Sequence, residues 1–287
     1  MQDQICYDNY KNSADWLQSR TKHRPKVAII CGSGLGHLAN ALESQDAFPY
    51  SDIPGFPHCT APGHAGRLVF GVLRGKSCVC MQGRFHMFEG HSLYKVTFPV
   101  RVFKLLGVET LIVTNAAGSL ASSYKTGDIM IIRDHINIPG LGGFNPLNGP
   151  NDERFGPRFP VMGAAYDKDL RRLAWDLGKK LAISDHVQEG VYCMVGGPNF
   201  ETIAEARLLQ RLGVDAVGMS TVPEVLIASH CGMKVFGLSL ITNKVAMDYE
   251  DQQVVTQEEV LAVSRKKSHT LQTIIMELVA HLGSSTA

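Results

Sequence analysis

Short apolar runs rich in β-branched residues alternate along this chain with longer stretches in which apolar positions recur every three or four residues. That alternation is the signature of strands interleaved with helices. The runs predict strands over 26–31, 67–73, 77–82, 109–114, 128–134, 190–195, 216–219 and 234–242, and strands so distributed point to one sheet. The amphipathic stretches predict helices over 8–19, 35–44, 98–106, 168–181, 203–212, 223–230 and 257–282. Thr202, Thr221 and Thr256 each stand three residues before a glutamate (Glu205, Glu224, Glu259). Each pair is expected to form a capping box, hydroxyl and carboxylate satisfying orphan amides reciprocally. Gly107, Gly213 and Gly232 follow helical runs, where a left-handed C-cap would stop them.

The order of elements is that of an α/β protein. No repeat and no linker separates halves, so residues 1–287 are expected to form a single domain. One stretch breaks the pattern: residues 139–160 hold five glycines and five prolines in 22 positions with hardly any periodicity. A compact domain rarely keeps so long a structureless excursion without a use, which marks it as a functional or subunit-contact loop.

Charge narrows the function classes. The 28 Lys+Arg against 27 Asp+Glu leave a net charge of +1, and the longest basic cluster, 20–26, is short. A nucleic-acid scaffold, which lives by neutralising many phosphates, is therefore not expected. Apolar residues at 45% and charged residues at 19% are an ordinary globular balance. No window reaches the ~18 uninterrupted apolar residues of a membrane helix, and residues 1–10 are too polar for an export signal, so no membrane partner and a cytoplasmic location are expected. The seven cysteines (Cys6, Cys31, Cys59, Cys78, Cys80, Cys193, Cys231) form no CxxC pair. Several sit in strand-like runs, where a thiol behaves as a small hydrophobe, and this fits a reducing compartment. Their spacing offers no zinc set.

Chemistry-bearing residues collect where predicted strands end. After the first strand, Gly32-Ser33-Gly34-Leu35-Gly36 enters a helix; glycines let amides approach an oxyanion, and Ser33 adds a hydroxyl donor. Alone, this turn fits a ligand-free strand-to-helix connection equally well, and it lacks the third glycine of the dinucleotide fingerprint at its usual offset. Arg84, His86 and Phe88 alternate, so an extended segment turns all three to one side. A guanidinium, an imidazole and an aromatic face would make an anion site beside an apolar wall, the alternative being a solvated arginine and a surface histidine. Asn115-Ala116-Ala117-Gly118 leave the main chain bare at a strand end, where open α/β sheets bind ligands. A close-packed turn explains them too. Ser220 lies where a strand runs into a capped helix, and capping alone would account for it. Glu201, beside Phe200 at a helix entrance, and Asn243, at the end of an apolar strand, can read donors and acceptors on a heterocycle edge. A first-turn charge and a turn residue are their plainer explanations. Taken together, the signals assemble an anion pocket beside a base-reading pocket.

Seven motifs now stand in order over nearly the whole chain: GSGLG at 32–36, PGHAG at 62–66, GRFH at 83–86, TNAAG at 114–118, FET at 200–202, GMSTVPE at 218–224 and ITNKV at 241–245. In this order they resemble the trimeric purine nucleoside phosphorylases of vertebrates. The resemblance implies a single α/β domain with a mixed, largely parallel central sheet flanked by helices, and neither metal nor coenzyme. It implies phosphorolysis of 6-oxopurine (deoxy)ribonucleosides such as inosine and guanosine, with inorganic phosphate as a substrate, giving free base and (deoxy)ribose 1-phosphate in purine salvage. By position, Ser33, His64, Arg84, His86, the amide of Ala116 and Ser220 would hold phosphate. Glu201 and Asn243 would bind the purine, packed by Phe200, Met219 and Val217, while Tyr192, Phe88 and Val260 would border base or sugar. Asn243, Glu201 and His86 would carry the catalysis. Phe159, inside the 139–160 excursion, would be lent to the neighbouring subunit of a homotrimer.

Two positions depart from the family: Phe88 stands where a tyrosine is usual, and Gln257 where a histidine faces the sugar 5′-hydroxyl. Glutamine can still donate or accept, but its reach differs and it stays neutral at every pH, so 5′-hydroxyl recognition is expected to be altered. Two rival functions remain. A methylthioadenosine phosphorylase shares the fold and phosphate site but prefers 6-aminopurines and has aspartates at the positions of Asn243 and Val245. A non-catalytic nucleotide-binding protein built on the glycine-rich turn would leave Arg84, His86, Glu201 and Asn243 unexplained.

Overall fold

The computed structural model describes residues 6–61, 63–250 and 255–283; Pro62 of the 62–66 motif and residues 1–5 of the polar N-terminal stretch lie outside them. The strands are β1 (Val27–Cys31), β2 (Glu43–Pro49), β3 (Arg67–Leu73), β4 (Lys76–Gln82), β5 (Thr110–Ser119), β6 (Ile129–Asn137), β7 (Val187–Met194), β8 (Ala216–Gly218) and β9 (Lys234–Lys244). The helices are α1 (Tyr7–Gln18), α2 (Leu93–Leu105), α3 (Ile138–Leu141), α4 (Lys168–Lys180), α5 (Ile203–Arg211), α6 (Val222–His230) and α7 (Gln257–His281).

All strands join one sheet in the order β2-β3-β4-β1-β5-β8-β7-β6-β9, and β9 pairs back onto β5. Strands β5, β8, β7, β6 and β9 thus close on themselves, while β1, β4, β3 and β2 extend from β5 as an open wing. The sheet is mixed: β1 runs parallel to β4 and β5, β9 to β5, and β7 to β6 and β8. The pairings β2–β3, β3–β4, β5–β8 and β6–β9 are antiparallel.

Strand β1 shows why the sheet is central. All five of its residues are buried, as expected of a parallel strand covered on both faces. Ala28 and Ile30 pack into one core with α1, α2 and α6. Val27, Ile29 and Cys31 pack into another with α4 and α7. Among the described residues no helix is long and apolar enough to cross a membrane.

Four local expectations are corrected. The 35–44 stretch is a 3-10 turn over Gly36–Ala41 followed by strand β2. Glu43, Ser44 and Gln45 are exposed on this edge strand, so no apolar alternation announces it. Helix α2 starts at Leu93, capped by Ser92, so Pro99 lies inside the helix and not at its first turn. Thr221 forms no capping box; its φ is +77° and its hydroxyl makes no cap bond. The pairs Thr202/Glu205 and Thr256/Glu259 do form boxes, opening α5 and α7. Finally, β5 continues through 115–119, so Ala116 lies within a strand and not past its end. A register shift between Ala117 and Gly118 brings Gly118 opposite Asn243 of β9.

Candidate active site

The glycine-rich turn, the bulge shared by β5 and β9, and the start of α6 converge on a cavity of about 110 Å³. Its wall contains Ser33, Arg84, His86, Phe88, Ala116, Phe200, Glu201, Val217, Met219, Ser220, Asn243, Gln257 and Val260, all singled out from the sequence. The close approach of strands requires glycine twice. A Cβ on Gly32 would lie 2.7 Å from the Thr114 carbonyl oxygen, and one on Gly118 would lie 2.8 Å from Val245 Cγ2 and 3.2 Å from Asn243 Nδ2. Gly118 therefore leaves the space that the Asn243 amide occupies.

Arg84 anchors the anion end and is only 1% exposed. Its Nε and Nη2 donate to Glu224 Oε1 and Oε2, both at 3.0 Å. Its Nη1 donates to the Thr114 carbonyl at 2.5 Å and to Ser220 Oγ at 3.2 Å. The fork that sequence reasoning assigned to an oxyanion is thus committed to a carboxylate, and both Nη1 hydrogens are taken by Thr114 and Ser220, which leaves one Nη2 hydrogen without an acceptor among the described residues. Glu224, expected to close a capping box, instead neutralises this buried cation.

The Ser220 turn is held by its neighbours. Tyr192 Oη donates to the Ser220 carbonyl at 3.3 Å and accepts from its amide at 3.4 Å. Burial pushes the Tyr192 phenol up to about 12, so it remains protonated. Thr221 Oγ1 accepts from Asn115 Nδ2 at 2.9 Å and sits 3.1 Å from Ser220 Oγ. A β-branched residue at positive φ is strained and persists only where its surroundings over-determine it; here it adjoins Ser220 of the cavity wall. Tyr192 itself, fully buried, lies behind the wall and borders Gly218.

His86 is fixed from the opposite side. Its Nδ1 lies 2.8 Å from Glu89 Oε1, which also accepts from the His86 amide at 2.9 Å. Thr60 donates both N–H (2.8 Å) and Oγ1 (2.6 Å) to Glu89 Oε2. Burial alone would raise the Glu89 carboxyl, but the hydrogen bonds from His86 and Thr60 outweigh it and bring it down to about 2. The His86 ring stacks on Phe88 with centroids 4.5 Å apart, and on His64 at 5.4 Å. His64 does not reach the wall: Nε2 is 3.3 Å from Ser33 Oγ, and Nδ1 is 3.1 Å from both the amide nitrogen and the carbonyl oxygen of Arg84. Burial, and then the neighbouring His86, push His64 down to about 4, so it is neutral and orients Ser33 without adding charge.

At the other end of the cavity, Thr242 Oγ1 donates to Asn243 Oδ1 at 3.0 Å. That occupies the amide oxygen and turns Nδ2 into the group presented to a ligand. Glu201 faces it from the entrance of α5; burial, and then the charge of Glu205, raise its carboxyl above the usual range. The cavity therefore offers an oriented donor and a partly desolvated acceptor beside the aromatic Phe200.

Phe159 is not in this cavity. It is 84% exposed, on the same excursion as the exposed Leu141 and Phe144 and close in sequence to the exposed Val161. Sequence reasoning missed Glu89, Glu224 and Thr242, whose work is to aim other side chains. Glu89 was findable, three residues after His86 within one motif.

The Phosphorylase superfamily model matches residues 26–280. The chain is 60% identical to the purine nucleoside phosphorylase of Bos taurus over 279 residues, covering 97% of this chain and 96% of that one. Among solved structures it is similar to Schistosoma mansoni purine nucleoside phosphorylase in complex with adenosine, with TM-score 0.94 and 47% identity over 97% of this chain and 99% of that one. The same relative in complex with inosine matches with TM-score 0.93 and 46% identity, over 97% and 98% respectively.

Proposed function

Since the chain belongs to the phosphorylase superfamily and, within it, to the purine nucleoside phosphorylases, we propose that this cavity cleaves the N-glycosidic bond of 6-oxopurine (deoxy)ribonucleosides with inorganic phosphate, releasing the base and (deoxy)ribose 1-phosphate. The observation that carries the proposal is that one cavity wall holds both Arg84, His86, Ser33 and Ser220, suited to an oxyanion, and Glu201 and Asn243, suited to a purine edge.

Breaking the bond builds negative charge on the leaving purine and positive charge on the sugar, so an effective site stabilises both. Asn243 Nδ2 would donate to the ring nitrogen that gains electron density. Glu201, ionised, would accept from N–H groups on the opposite edge of a 6-oxopurine, a pattern a 6-aminopurine does not complete. Phosphate, held by Ser33, Ser220, the Ala116 amide and the Arg84 guanidinium, would stabilise the oxocarbenium-like carbon electrostatically and then bond to it. His86, with Nδ1 committed to Glu89, would turn Nε2 to the phosphate. Holding both reactants in line removes much of the entropic barrier. Phe200, Val217, Met219 and Phe88 would pack the base and sugar, with Gln257 and Val260 near the 5′ end.

The exposed Phe159 and its apolar neighbours favour a homotrimer in which this loop closes the adjacent subunit's site. Sedimentation of the wild type and of Phe159→Asp tests the assembly: an unchanged trimer with unchanged KM in the variant refutes the lent residue. The reaction is tested by incubating the protein with inosine or adenosine, with and without phosphate. Phosphate-dependent release of hypoxanthine, well ahead of adenine, is expected; preferred adenosine cleavage, or release indifferent to phosphate, overturns the assignment.

A further inference from the structure

A second cavity, about 530 Å³, shares no lining residue with the first. Tyr7 and Tyr10 of α1, Tyr94 and Arg101 of α2, His230 of α6 and Phe155 of the 139–160 excursion form its wall. The volume lies within the range of small-molecule sites.

Arg101 is the unusual member. It is 8% exposed, yet among the described residues its one hydrogen bond is Nη1 to Tyr10 Oη, a neutral oxygen, at 3.3 Å. Its guanidinium faces the rings of Tyr10 and Phe155 at 5.5 and 5.6 Å. Among the described residues Nε and Nη2 have no hydrogen-bond partner, and Arg101 lines the cavity. Asp152, an acid of the same wall, feels the Arg101 charge but accepts from Arg154 on Oδ1 and Oδ2 at 2.8 and 2.6 Å. Glu153 is exposed at the rim. His230, held down by burial and the Arg101 charge, is neutral, with Nε2 3.1 Å from Asn151 Oδ1. Buried charges are ordinarily paired; among the described residues this one has no counter-ion.

We propose that the cavity binds a small oxyanion carried on a planar ring, its carboxylate or phosphate on the free Nε and Nη2 of Arg101 and its ring against Tyr7, Tyr94 and Phe155. The paired donors suit both oxyanions, and the aromatic wall and the volume ask for a body larger than a bare ion.

The test uses 4-fluorobenzoate and 4-fluorophenyl phosphate as probes, followed by fluorine NMR titration of the full chain. Saturable binding of at least one probe is expected, and which one binds identifies the oxyanion. Arg101→Met should weaken it about 10- to 100-fold, and Asn148→Trp, on the cavity wall away from the guanidinium, should abolish it. His86→Ala, in the first cavity, should leave it intact. Absence of saturable binding by both probes overturns the proposal, as does binding that survives Arg101→Met and Asn148→Trp or disappears in His86→Ala. Should Arg101→Met fail to fold, Asn148→Trp and His86→Ala decide between the two cavities.

Discussion

Asn243→Ala tests the leaving-group end directly. Thr242 holds Oδ1, so the amide presents one oriented donor, and its removal leaves space and no new charge. One preorganised donor at a site of developing charge contributes roughly 2–4 kcal/mol, or about 30- to 1,000-fold in turnover. Removing the orienting hydroxyl by Thr242→Val takes away a neutral hydrogen bond of about 0.5–1.5 kcal/mol, a loss of a few-fold to about tenfold. Asn243 is partly exposed, and its own remaining bond is Nδ2 to the Lys244 carbonyl at 3.3 Å. Thermal stability should therefore move little, within about 1 kcal/mol.

The assay compares inosine with 7-methylinosine at saturating phosphate. The methylated base already carries a positive charge and leaves without a donor at that nitrogen. Asn243→Ala should lose the full factor on inosine and only a small part of it on 7-methylinosine, with Thr242→Val intermediate in the same direction. Equal losses on both substrates would refute leaving-group stabilisation by Asn243, and a variant that unfolds while keeping turnover per folded molecule would make the residue structural.

Glu224→Ala strands a buried guanidinium and should cost about 3–5 kcal/mol; an unchanged Tm in calorimetry would show that the pair does not hold the fold. Because the Glu201 carboxyl is raised and the site needs its ionised form, kcat/KM for inosine should fall as pH drops through that raised value. Glu201→Gln should abolish this acid limb and lower kcat/KM by about 10- to 100-fold; persistence of the limb assigns it elsewhere. Glu89, held near 2 against 4.5 for the free carboxyl, stabilises the fold fully above about 4.5 and loses that contribution as pH falls toward 2. Glu89→Gln should flatten urea stability across that window, and an unchanged pH slope counts against the His86–Glu89–Thr60 network. Gln257→His should widen the preference for inosine over 5′-deoxyinosine, and an equal or narrower ratio would remove residue 257 from 5′-hydroxyl recognition.

The core strands were legible because burial on both faces forces continuous apolar runs, as in 27–31 and 234–242, and because α5 and α7 open with complete capping boxes. Strand β2 was not: at an open edge, Glu43, Ser44 and Gln45 meet solvent, and only the pairing of Glu43 and of 46–49 with β3, around an irregularity at 44–45, makes the segment a strand. The site split in the same way. Cavity-facing residues lie in short motifs whose chemistry shows in their type, but Glu224 is 140 residues from Arg84 in the chain. Its spacing from Thr221 fits a capping box better than an ion pair, and only the positive φ of Thr221, a tertiary constraint, removes the cap. His64 illustrates the reverse case. Its motif marks it for the anion site, and burial then turns it into a neutral prop for Ser33.

The pairing of side chains with carboxylates bears on how a chain of net charge +1 would build the proposed phosphate site. Two side chains at the proposed phosphate end have an acid behind them: Glu224 behind Arg84, Glu89 behind His86. These acids cancel much of the long-range field, so attraction of phosphate over distances beyond the Debye length of ~8 Å would be weak. What remains is short-range and directional. In the proposed site the Arg84 guanidinium, the His86 ring and the Ser33 and Ser220 hydroxyls are each held by a neighbouring side chain, so little reorganisation is needed when charge develops. Such a site binds through aimed donors more than through net charge. Replacing an acid in the second layer should therefore damage turnover through geometry even though it makes the pocket more positive, the opposite of what a site held together by bulk potential would do.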